Sequence, residues 1–192
     1  MTTPLPRRLR QLFGAEFAEL DEAALLLLIS HSEGDDLEVK AQTYGRSDSN
    51  KRELCADVTA LANGRGGLLL IGAAETSDVI NALTPVKLDG EELWVRQVLA
   101  SGVAPPVQVE TRSIPCATDA GTGYVAIVVG ASADAPHAVL TNDNFRYVVR
   151  DGPGKRSMRE PEVADQHRRR VVAATTRLER LAEVRAAIEA HT

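Results

Sequence analysis

The chain has 192 residues, 44% of them apolar and 26% charged, with a formal net charge of -5. That length can bury one sizeable core and leave a helical appendage, while the acidic total argues against a generic polyanion binder. The two cysteines, Cys55 and Cys116, supply neither a disulfide framework nor a metal-type spacing.

The apolar run from Ala23 to Ile29 falls far short of the roughly 20 residues needed to cross a bilayer. The arginines near the N-terminus are not followed by an apolar stretch with a small-residue cleavage site, so the chain is expected in the cytoplasm with no membrane partner. Charge is segregated along the sequence. Glu16, Glu19, Asp21, Glu22, Glu33, Asp35, Asp36 and Glu38 crowd one segment, and Arg146, Arg150, Lys155, Arg156, Arg159 and Arg168 to Arg170 crowd another. Because screening limits each field to about 10 Å at ordinary salt, a local basic surface can bind phosphates on an acidic protein.

In chain order, Asp21 caps a helix through Leu25 to Ile29, and Leu37 to Ala41 alternates with period two as a strand. Asn50 with Glu53 resembles a capping box for a helix from about residue 51 to 63. Leu68 to Ala73 is a continuous apolar run of the kind buried on both faces of a sheet. Asp89 and Glu92 suggest a capping pair for a helix through Trp94 and Val98 that ends at Gly102. Strands follow at Val107 to Ile114, Tyr124 to Val129 and Phe145 to Arg150, with a short one at Ala138 to Leu140 and a hairpin-like loop at PCATDAGTG. Pro161 suits the first turn of a last helix reaching about Ala190.

This pattern predicts an α+β fold, a single mixed sheet with helices packed on it plus a long C-terminal helix. Three segments are expected: an N-terminal helical part over 1–31, the main domain over 32–160 and the C-terminal helix over 161–192. Ala164, Val171 and Leu178, interleaved with His167, Ala174, Leu181 and Ile188, form a weak heptad seam. The helix either packs on its own domain, or makes a homodimer or a junction to something else.

The run ALANGRGGLLLIGAAE, residues 60–75, contains four glycines. Phosphate-cradling loops run from strand through glycines into a helix N-terminus. Here a helix precedes and a strand follows, so the run reads as a turn, with Asn63 and Gly64 closing the helix in the left-handed region. No nucleotide-binding loop is seen. Arg65 at the tip is still placed to touch a phosphate.

Two chemical constellations remain. Glu38 and Lys40 emerge on one strand face, like the E-x-K element of restriction-type nucleases; the alternative is a surface ion pair. Arg146 and Arg150 share parity on FRYVVRD, with Phe145, Tyr147 and Val149 expected to face the core. Lys155, Arg156 and Arg159 follow in the glycine-rich loop GPGKRSMR, so the set suits backbone phosphates; the alternative is a solvated basic surface. The four histidines are scattered, and aromatics at 4% leave few base-stacking platforms.

The order Glu33, Glu38-Val39-Lys40, a capped helix ending ALANGRGG, then LLLIGAAE and a late strand ending YVVRDG resembles the Schlafen AlbA-like domain family, also described as DNA-binding or divergent AAA-type, over about Ser32 to Arg170. The resemblance implies a nucleic-acid-binding domain, for RNA or DNA, of a regulatory or defence kind. In some relatives it implies a divalent-metal-dependent endoribonuclease with a three-carboxylate centre. By position those carboxylates fall on Glu33, Glu38 and Glu75, holding Mg or Mn with Lys40 in support. The third reading is a protein-interaction module assembled through the last helix.

Overall fold

The computed structural model describes residues 3–119, 121–142 and 144–189. Ala120 in the expected hairpin loop, Ala190 at the expected helix end and His191 lie outside them. The first half runs α1 (Arg7–Phe13), a 3-10 turn (Phe17–Glu19), α2 (Glu22–Leu26), β1 (Leu37–Lys40), α3 (Asp48–Asn63), β2 (Gly66–Ile71), β3 (Ala73–Thr76), β4 (Val79–Leu83) and β5 (Val86–Lys87). The second half runs α4 (Glu91–Gly102), β6 (Val103–Ala104), β7 (Val109–Pro115), β8 (Thr122–Gly130), β9 (Ala138–Leu140), β10 (Phe145–Asp151), β11 (Gly154–Ser157) and α5 (Glu160–Glu189).

The fold is α+β with a mixed sheet and a long C-terminal helix, as expected. Its strands divide further than the single sheet foreseen. A five-stranded sheet in the order β1-β2-β8-β5, with β7 also on β8, stands beside the four-stranded β11-β10-β9-β6 and the β3–β4 hairpin. Only β1 and β2 pair in parallel within the large sheet. No helix among the described residues is long and apolar enough to cross a membrane.

Strand β2 is buried throughout, because its two faces serve two cores. Leu68 and Leu70 pack with Leu9, Phe13, Leu20, Leu25 and Leu28 of the N-terminal segment. Leu69 and Ile71 pack on the other side with Leu54, Val58 and Leu61 of α3 and Val95 and Leu99 of α4. Period-two alternation thus sets a three-layer arrangement, helices on both sides of a central sheet. Residues before Ser32 share the core of the strands that follow.

Several local expectations are corrected. Helix α3 starts at Asp48, and its cap is Ser47, whose Oγ accepts from the Asn50 N–H at 3.3 Å. At α4 the cap position is Gly90, in the left-handed region. Glu92 instead reaches across to β7, where Oε1 accepts from the Ser113 N–H at 2.7 Å. Gly64 has φ -95, and the left-handed glycine is Gly66, with φ 77. A Cβ on Gly66 would lie 2.6 Å from the Val129 carbonyl oxygen and the Ala131 nitrogen, so the glycine run is fixed by close packing against the end of β8.

Asn63 is more than a helix end. Its Nδ2 donates to the carbonyls of His137 at 2.9 Å and Val148 at 2.8 Å, and its Oδ1 accepts from the His137 N–H at 2.7 Å. One buried amide therefore clamps α3 to the approach to β9 and to β10. Helix α5 is anchored to the domain from Gln166 to Arg177. Gln166 donates to the Asn63 carbonyl at 2.8 Å, His167 meets Tyr147 edge-on at 6.0 Å, and Arg177 pairs with Asp134 at 3.0 Å. Beyond that point Leu178 and Leu181 are 68% and 66% exposed.

Candidate functional site

Leu37 and Val39 of β1 pack toward the N-terminal layer, so Glu38 and Lys40 share the opposite face, toward α3 and β10. The shared face holds, and Lys40 Nζ donates to Glu38 Oε1. It is not an exposed face, because Glu38 is buried and Arg150 Nη1 donates to its other oxygen. Arg150 Nη2 also donates to the carbonyls of Gly34 at 2.8 Å and Pro153 at 2.8 Å.

Arg150 therefore corrects the reading of it as a surface phosphate ligand. The facing of β10 is the reverse of that expected: Val148 and Arg150 are buried, while Phe145 is exposed. The cause is the inward pull of Glu38 on the arginine, which overrides the rule that charge faces water.

Next to this pair lies Asp57, a buried acid on the apolar side of α3. Tyr44 donates its hydroxyl to Asp57 Oδ2 at 2.5 Å, Lys155 donates to Oδ1, and Lys40 Nζ stands 3.7 Å away. Lys155 also bonds Glu53 Oε1 at 2.5 Å. Buried charges persist where each meets its opposite, and here Glu38, Asp57, Arg150, Lys40 and Lys155 alternate in sign. Burial works against the Lys40 ammonium, yet Asp57 and Glu38 outweigh it and hold its pKa above the ordinary value. Burial first, then Asp57, pushes the Tyr44 hydroxyl well up.

Glu33 sits at the edge of this cluster, with Oε1 accepting from the Val39 N–H at 2.6 Å. Burial pushes its carboxyl up to about 7; the Val39 bond opposes this and the Glu38 charge adds to it. Glu75 is used differently. Its Oε2 accepts from the Asp78 N–H at 2.8 Å inside the β3–β4 turn, where Ser77 and Asp78 have φ 54 and 64. The Glu33 backbone N–H donates to the Asp78 carbonyl at 2.8 Å, so the two acids share a neighbour, while their carboxylates serve separate bonds.

The donor set does not fit a divalent ion. Both Glu38 oxygens carry a cation, and Lys40 and Arg150 would repel a second positive centre there. Among the described residues no group of three or more His, Cys, Asp or Glu side chains is arranged to hold a metal ion.

The basic positions separate into two groups. Lys155 is tied to Asp57, and Arg156 forks onto Glu162 with both contacts at 2.8 Å. That fork holds the Glu162 carboxyl well below its usual range. The segment read as a flexible loop is strand β11, paired with β10 from Val148 to Asp151. Arg65, Arg146 and Arg159 by contrast are exposed, and none has a carboxylate within ion-pair distance among the described residues, although the Arg159 charge helps to hold the Glu162 carboxyl low. Arg65 shares a cavity of about 670 Å³ with Arg7, Arg8, Glu33 and Asp36.

Sequence reasoning missed Asp57 and Tyr44. An acid spaced three and four residues from Leu54 and Leu61, on a helix face that must be buried, is the signal that marks Asp57.

The chain belongs to the Schlafen AlbA_2 family, since the family model described as Schlafen, AlbA_2 matches residues 33–159. No curated protein sequence matches it. Among solved structures it is similar to the DIP2311 protein from Corynebacterium diphtheriae, at 21% identity and a TM-score of 0.44. That similarity covers 65% of this chain and 25% of the other, so the chain spans about a quarter of that protein's length.

Proposed function

We propose that this chain is a nucleic-acid-binding domain that grips the phosphate backbone of RNA or DNA through exposed arginines. The observation that carries the reading is the division of the basic residues: Arg65, Arg146 and Arg159 are exposed and outside ion-pair distance of any carboxylate among the described residues, whereas Arg150, Lys155 and Arg156 are spent on holding the β10–β11 hairpin. Membership of the Schlafen AlbA_2 family supports it. Contacts of this kind give affinity that falls with salt and shows little sequence preference. Replacing Arg65, Arg146 and Arg159 together by Glu should abolish binding of labelled tRNA and single-stranded DNA; unchanged affinity sinks the reading.

Binding is favoured over metal-dependent cleavage by the engagement of Glu38 with Lys40 and Arg150. Incubating labelled tRNA with Mn, with and without chelator, distinguishes the two. Intact RNA in both is the expected result.

A second reading, self-association through α5, is favoured by its exposed Val171, Leu178 and Leu181 at heptad spacing. An antiparallel second copy would centre the seam between Leu178 and Leu181. Sedimentation should show a dimer that L178E/L181E dissociates; a monomer at all concentrations removes this reading.

A further inference from the structure

Arg146 of β10 and Arg52 of α3 line one cavity of about 200 Å³, together with Ser49, Glu53, Val139 and Thr141. Both arginines are exposed, and neither forms an ion pair or hydrogen bond among the described residues. The acids around them have lysine partners, and Asp48 also lies within the field of Arg52. Glu53 accepts from Lys155 at 2.5 Å, and Asp48 accepts from Lys51 at 2.9 Å. Thr141 is also occupied, donating its hydroxyl to the Asn144 carbonyl at 2.8 Å. The Ser49 hydroxyl has no partner among the described residues.

Two guanidinium groups on a shared concavity repel each other unless an anion lies between them. A phosphate suits that place, because its oxygens accept from planar N–H forks with charge assistance. Several basic residues nearby are different: Arg46, Lys51, Lys155 and Arg156 each have a carboxylate within ion-pair distance. The pairing of Arg52 with Arg146 was not visible in the sequence, where 93 positions' worth of chain separates a helix start from a late strand and only the packing of α3 on β10 joins them.

We infer that this cavity seats one phosphate group of a nucleic-acid strand, forked by Arg52 and Arg146 with Ser49 donating its hydroxyl. The inference rests on the nucleic-acid reading above and gives that reading a specific contact. The test uses the full chain and its R52E/R146E variant, with R52Q/R146Q as the milder pair should charge reversal lower the thermal midpoint. Two probes are used: inorganic phosphate, followed by amide NMR shifts, and a labelled single-stranded oligonucleotide, followed by anisotropy between about 50 and about 200 mM salt.

Phosphate should shift the amides of Ser49, Arg52, Thr141 and Arg146 in the wild type and not in the variants. The oligonucleotide should bind the variants about tenfold more weakly, with the salt slope reduced by about 0.7, the share of one phosphate contact on a single strand. Equal oligonucleotide affinity in wild type and variants, with no phosphate shifts, overturns the site and leaves the nucleic-acid reading standing. Phosphate shifts without oligonucleotide binding by the wild type overturn the nucleic-acid source, and the cavity is then a site for free phosphate.

Discussion

Arg150 and Glu38 form an ion pair whose side chains are 2% and 8% exposed, and the pair joins β10 to β1 across the fold. Two residues that read as separate functional groups, a phosphate ligand and a metal ligand, are each other's partner. The arginine also satisfies backbone carbonyls on the Gly34–Leu37 turn and at Pro153, so the pair fixes the loop that carries Glu33.

Removing one member leaves the other charged and buried. Glu38→Ala is expected to cost about 3–5 kcal/mol in urea unfolding. Arg150→Met combined with Glu38→Leu should recover part of that loss, because an apolar pair of similar volume strands no charge. A loss below about 1 kcal/mol for Glu38→Ala would show that the pair is not structural.

Asn63→Ala strands the His137 N–H and the carbonyls of His137 and Val148. At about 1–3 kcal/mol for each unsatisfied buried group, partly relieved by relaxation, a loss of about 3 kcal/mol is expected. Hydrogen exchange should speed up first in β9 and β10.

Gly66→Ala places a Cβ where Val129 and Ala131 backbone atoms stand at 2.6 Å, on a residue at φ 77. The expected cost exceeds the roughly 1–3 kcal/mol of the backbone strain alone, and circular dichroism melts would register it. Gly152, which a Cβ would not crowd, should show only the strain of its φ of 63.

Glu33 supplies a pH dependence with a definite sign. Its carboxyl titrates at about 7 in the folded protein, against an ordinary 4.5. The folded state therefore binds more protons between those values, and this contribution to stability, present below the lower value, is lost as pH rises through about 7. Glu33→Gln should flatten that part of the stability profile. Carboxyl NMR showing a Glu33 midpoint near 4.5 would remove the effect.

The layered core was legible because hydrophobic period alone dictates it: LLLI had to be a central strand, and Leu54, Val58 and Leu61 a buried helix face. The N-terminal helix α1, the β3–β4 hairpin and the short β5 and β6 were missed, since strands of five residues or fewer, or a helix of seven, carry too little periodicity to stand out. The facing of β10 was misread because its parity was assigned by the rule that arginine faces water, and Glu38, a residue 112 positions away, reverses it. Local patterns give elements, whereas charge pairing across the fold decides which polar residues are left free for a ligand. That is why Arg65, Arg146 and Arg159 survive as candidates while Arg150, Lys155 and Arg156 do not.

The central claim, that exposed arginines grip a phosphate backbone, is tested most directly by the salt dependence of single-stranded RNA binding to the wild-type chain. A log–log plot of affinity against salt should be linear, with a slope of about -0.7 for each phosphate contacted. R65E/R146E/R159E should abolish the binding. No measurable binding by the wild type at about 50 mM salt, or an affinity indifferent to salt, would contradict the account.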